Sequence, residues 1–139
     1  MVLNRILVVM ALILLCSNPL FADQVKEKDA VQAARSWLAL VDHGKYAESW
    51  TYSAEYFKNA ISKSKWNKTL TAVRKPLAGV ISRKVILKQF AASLPGVPDG
   101  EYVVIQFKTS FKNKASSVET VTPSLEKDGV WRVSGYFIK

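Results

Sequence analysis

The chain has 139 residues, with 20 Lys or Arg against 11 Asp or Glu and a formal charge of +9; that length gives one domain and hardly two. With one cysteine and one histidine it lacks the ligands for a zinc centre. No Gly-rich phosphate loop and no Gly-x-Ser-x-Gly elbow is present, so neither a metal nor a cofactor is expected.

The first residues do not read as part of that domain. Met1 to Arg5 is basic, Ile6 to Leu15 is an unbroken apolar run, and Leu20-Phe21-Ala22 ends on a small residue. This order predicts a signal peptide over residues 1–22, cut near Ala22, and a periplasmic or secreted domain over residues 23–139. The apolar run is about half the ~20 residues that a spanning helix needs, and Asn18-Pro19 closes it. Cys16 lies inside the leader and follows Leu15, where lipoprotein processing uses a small residue. The domain must then be held by its core, without disulfides. Its positive charge serves solubility first, and also favours anionic envelope material such as lipid head groups or cell-wall polymers. Nucleic acid is not an expected partner, because the leader takes the chain away from it.

Within the domain, Asp29 is placed to cap a helix running to about His43. Ala30, Ala33, Ala34, Trp37, Leu38 and Val41 form its apolar stripe, and Gly44 stands at a left-handed C-cap. A second helix starts at Tyr46, runs to about Trp50 and continues unevenly through Tyr52, Tyr56 and Phe57 to Ile61. Ser64 offers a cap for a third, Lys65 to about Arg74, with Trp66, Leu70 and Val73 along one side; Pro76 ends it.

Strands follow. Ser82 to Phe90 is rich in β-formers, and Leu94 to Gly100 is a turn cluster. Tyr102 to Phe111 alternates, with Val103, Ile105, Phe107, Thr109 and Phe111 on one face. After a polar turn at Asn113-Lys114-Ala115 comes Val118 to Leu125, where Pro123 implies an edge or a bulge. Asp128-Gly129 then makes a tight hairpin turn. It leads into a last strand with Trp131, Val133 and Phe137 on the core face and Arg132, Ser134 and Tyr136 on the other. The expected fold is α+β, with N-terminal helices packed on a curved antiparallel sheet of about four strands.

The order of elements resembles the nuclear-transport-factor-two-like superfamily, whose bent sheet wraps helices into a cone. More closely, the sequence resembles the bacterial domain of unknown function family 4019. The resemblance rests on Trp37-Leu38, Asp42 to Tyr46, Ser49-Trp50, Trp66, Arg74 to Gly79 and Arg83. It continues through Leu94 to Tyr102, Phe107 to Phe111, Glu119 to Thr122 and Asp128 to Tyr136. It implies a cone-shaped fold and an envelope compartment, and no activity.

Few residues suggest chemistry. His43, beside Gly44, is read as contacting the terminal carbonyls of its helix. Glu119 shares a strand face with Val121 and enters the cone if that face is the concave one. The favoured reading pairs it with a buried arginine, Arg74, Arg83 or Arg132; the alternative makes it a general acid or base in a small lyase, isomerase or hydrolase. Trp37, Trp50, Trp66 and Trp131, with Arg74, Arg83, Glu119 and Tyr136, are the candidates to line a pocket, although a packed core is the commoner use of tryptophan. The expected function is a non-enzymatic module binding a small ligand or an envelope protein through the cone or the sheet face. A structural protein that self-associates through its sheet, as a homodimer for instance, is a further alternative.

Overall fold

The computed structural model describes residues 19–139. Residues 1–18 of the expected leader lie outside the described residues, and Ala22 falls in the exposed first turn of helix α1. Helix α1 spans Pro19–Asp42, so Asp29 is internal to it and caps nothing. The stretch before Asp29 contains no glycine, and Pro19 sits where a missing N–H costs nothing. Ala30, Ala34, Trp37, Leu38 and Val41 form the buried stripe. Gly44 ends the helix at φ +72°, and the Gly44 and Lys45 N–H groups donate back to Val41 and Leu40 at 3.0 and 2.9 Å.

The uneven second helix is two. Helix α2 is Tyr46–Thr51 and α3 is Glu55–Ala60. At the break, the Ala54 N–H leaves the helical pattern and donates to the Val133 carbonyl at 2.8 Å. Helix α4, Lys63–Val73, is capped by Ser62 rather than Ser64; the Ser62 hydroxyl accepts the Lys65 N–H. Trp66 and Leu70 are buried, whereas Val73 is exposed. Pro76 sits in the short 3-10 turn Lys75–Leu77 that follows.

Four strands complete the chain: β1 Val80–Ala91, β2 Tyr102–Phe111, β3 Lys114–Leu125 and β4 Trp131–Ile138. They pair antiparallel in sequence order. The predicted face of β2 is the buried one, because Val103, Ile105, Phe107, Thr109 and Phe111 all lie inside. Lys114 already belongs to β3. Pro123 is in an interior strand and takes the bulge reading: Pro123 pairs with Val133 while Thr122 pairs with Gly135, leaving Ser134 as the extra residue of β4.

That bulge overturns the face assignment beyond it. Val133 is buried, but Tyr136 is the next side chain to turn inward, and Phe137 is 58% exposed. Trp131, on the expected core face, is packed against the edge of the core and only partly buried. The helices cover one face of the sheet, with α1 touching all four strands. Between them lie Trp37, Leu38, Phe57, Trp66, Ile105, Phe107 and Val121.

Candidate functional site

Glu119 comes into the core from β3 and is fully buried. Three groups donate to its two oxygens. Arg83 Nε on β1 and Thr109 Oγ1 on β2 reach Oε1 at 2.8 and 2.6 Å, and the Tyr136 hydroxyl on β4 reaches Oε2. Arg83 continues to Asp42 at the end of α1, where Nη1 and Nη2 meet the two carboxylate oxygens at 2.6 and 2.9 Å. Arg74, at the end of α4, closes the row. Its Nη2 lies 3.2 Å from Asp42, Nη1 donates to the Ala78 carbonyl at 2.6 Å, and its guanidinium sits 4.5 Å from the Phe111 ring centre.

The row therefore alternates in charge: Glu119, Arg83, Asp42, Arg74. Burial works against the charge on Arg83, but its bonds to Asp42 and Glu119 prevail and hold its pKa above the ordinary value. Burial, and then the charge of Glu119, pushes the Tyr136 phenol above its usual range. Tyr136 is thus a fixed neutral donor. A general base needs a lone pair facing a substrate; the Glu119 oxygens face an arginine, a threonine and a tyrosine inside a packed core.

Of the three arginines weighed, Arg83 is the partner, Arg74 is one link further along, and Arg132 is elsewhere. Arg132 joins Glu126 and Asp128 at the β3–β4 turn, at 2.9 and 2.8 Å. Asp42 and Thr109 were missed. Both left a signal: Asp42 is an acid at a helix C-terminus, where the dipole disfavours it, and Thr109 is a hydroxyl in an otherwise apolar row. His43 Nδ1 lies 2.6 Å from the Ala39 carbonyl, so it contacts the end of its own helix.

The tryptophans do not share a pocket. Trp37 and Trp66 have ring centres 6.1 Å apart, and Tyr136 packs edge-on to both. Their indole N–H groups are met by buried serines: Trp37 donates to the Ser49 carbonyl and Ser53 Oγ at 2.8 and 2.9 Å, Trp66 to Ser49 Oγ at 3.0 Å. Trp50 donates to the Ile61 carbonyl at 2.7 Å. Trp131 lines a narrow cleft of about 290 Å³ between α1 and β4.

A wide concavity lies at the end of the sheet where the β1–β2 loop and the β3–β4 turn meet α2 and α3. It measures about 870 Å³ and has Tyr52, Tyr56 and Tyr102 among its walls, with Asp99, Lys127 and Arg132 at its margin. Tyr52 and Tyr56 are 64% and 41% exposed. The Tyr56 hydroxyl on α3 donates to the Gly96 carbonyl at 3.0 Å, which holds the long loop against that helix, and Tyr102 at the start of β2 donates to Pro98 at 2.6 Å. Burial, then the neighbouring Tyr56 and Asp99, raises the Tyr102 pKa. None of these cleft residues except Arg132 had been singled out as a partner or ligand contact, because the loop that brings them together is distant from α3 in sequence. Among the described residues no group of His, Cys, Asp or Glu is arranged to hold a metal ion, and no helix is long and apolar enough to cross a membrane.

A solved structure from Catenulispora acidiphila, determined at 2.5 Å, has a similar fold, with a TM-score of 0.56 at 11% identity over 86% of this chain and 94% of that one. No curated protein matches the chain. Residues 33–136 match the family described as Protein of unknown function (DUF4019), most of the chain, and the chain belongs to that family.

Proposed function

We propose that this is an exported, non-enzymatic binding module that takes a small ligand or a segment of an envelope protein in the cleft at the end of its sheet. The observation that carries the reading is a contrast in filling. The space between helices and sheet is occupied by interlocked indoles and by a carboxylate with both oxygens engaged, while about 870 Å³ stands open beside exposed tyrosines. Tyrosines offer a flat apolar wall with a polar tip, which suits a ligand with both planar and polar groups. Several acids at the rim are already committed: Glu126 accepts the Glu55 N–H and pairs with Arg132, and Glu101 pairs with Lys26. Selectivity would then come from the tyrosines and backbone groups more than from charge. The basic start, apolar run and small residue at Ala22 support the export half of the reading.

Native mass spectrometry of protein recovered from its own envelope fraction tests both halves. A chain cut near Ala22 is expected, and one still beginning at Met1 would remove export. A bound mass should accompany the wild type and be absent from a Tyr52→Ser, Tyr56→Ser variant with an unchanged melting temperature. Retention of that mass by the variant would place binding elsewhere.

A further inference from the structure

The helices leave one face of the sheet bare, and the strand register draws two rows across it. In one, Lys84 pairs with Lys108 and Lys108 with Val118, and Val118 exchanges two backbone hydrogen bonds of 2.9 Å with Lys139. In the other, Leu87 pairs with Gln106, Gln106 with Thr120, and Thr120 with Phe137. Phe107, Glu119 and Val121 are buried on the helix side, so the alternate residues Gln106, Lys108, Val118 and Thr120 belong to the opposite side, where Lys108 is exposed and Thr120, between its neighbours, is 6% exposed.

All three lysines are exposed, as are Leu87 at 40% and Phe137 at 58%. Ile86, displaced by the bulge between Val85 and Leu87, is 50% exposed. Lys84 and Lys108 stand at directly opposed positions, which repel. Among the described residues, the four strands contain one carboxylate, Glu119, and it is inside.

We propose that this face lies against an anionic phospholipid surface, with Lys84, Lys108 and Lys139 at the phosphates and Leu87, Ile86 and Phe137 in the interfacial layer. Like-charged rows attract an anionic surface and repel a second copy, which would set lysines against lysines in a symmetric dimer. A soluble polyanion would use the lysines but leave Leu87, Ile86 and Phe137 idle; a bilayer interface takes both. The proposal does not depend on the tyrosine cleft, whose walls are other residues.

The full chain as recovered from cells is sedimented with vesicles of phosphatidylcholine, alone or mixed with phosphatidylglycerol. The wild type should prefer the mixed vesicles. Lys84→Glu with Lys108→Glu should lower that binding by roughly thirtyfold or more, since each lysine near an anionic bilayer contributes about fivefold. Lys65→Glu with Lys68→Glu, the same charge change on exposed positions of α4, should leave most of it. Phe137→Ser should weaken attachment severalfold and leave binding of soluble polyphosphate unchanged. Any leader still present is common to all variants and cancels in the ratios. Equal losses from both lysine pairs, or vesicle binding indifferent to Phe137→Ser, would overturn the proposal, the latter in favour of a polymer. A dimer in sedimentation equilibrium that Phe137→Ser dissolves would also overturn it, in favour of a second copy.

Discussion

Two arginines on this sheet each hold two carboxylates, with opposite consequences. Arg83 joins Asp42 and Glu119 with its side chain 12% exposed and Glu119 fully enclosed. Arg132 joins Glu126 and Asp128 with its side chain 31% exposed, beside the open cleft. The stoichiometry is the same, but Glu119 is cut off from water whereas Asp128, 53% exposed, is screened by it. At the surface such a set contributes little. In the core, Arg83 becomes indispensable once Glu119 is present, because removing it leaves an unpaired buried charge.

The largest effect should come from the centre of the buried set. Arg83→Met leaves Glu119 without a cation and Asp42 with Arg74 alone, and should cost about 3–5 kcal/mol in urea unfolding; a loss below about 1 kcal/mol would mean that water reaches Glu119. Glu119→Gln should cost somewhat less, about 2–3 kcal/mol, because Arg83 keeps Asp42. The double substitution should lose less than the two singles combined. A more stable Glu119→Gln protein would instead show a strained carboxylate of the kind that active sites keep.

Tyr136→Phe should cost about 1 kcal/mol at neutral pH through the lost hydrogen bond. It also has an alkaline signature. The folded phenol is raised above its unfolded value of about 10, so above that pH the unfolded chain releases a proton that the native state retains. Wild-type stability therefore falls as pH rises beyond about 10, and is unaffected by this group below it. Urea midpoints from pH 9 to 11 should decline more steeply for the wild type than for Tyr136→Phe; parallel slopes would exclude the buried phenol. The smallest effect belongs to the surface set, where Arg132→Ala should change stability by less than about 1 kcal/mol and less still in high salt.

What could be read beforehand followed from local rules. Strand β2 and its buried face rest on strict alternation, and the positive φ of Gly44 on the absence of a Cβ. The inward Glu119 was legible because its neighbour Val121 marks the face. What failed were the features that tertiary packing decides. An inserted Ser134 cannot be seen from periodicity, since one extra residue exchanges Tyr136 and Phe137 between faces with no change in composition. Ser62 and Ser64 are equally good caps in isolation, and it is Ser62 whose hydroxyl accepts the Lys65 N–H. Of the arginines, only the register of β1 against β2, which puts Arg83 opposite Thr109, identifies the partner.

The sheet pairs each strand with its successor, yet its last strand holds the first helix. Tyr136 packs 5.1 Å from Trp37 and carries the hydroxyl that meets Glu119. The hairpins are short-range and fast to form, whereas closing Trp37 onto Tyr136 spans most of the chain. During synthesis the core thus stays unsealed until strand β4 has left the ribosome.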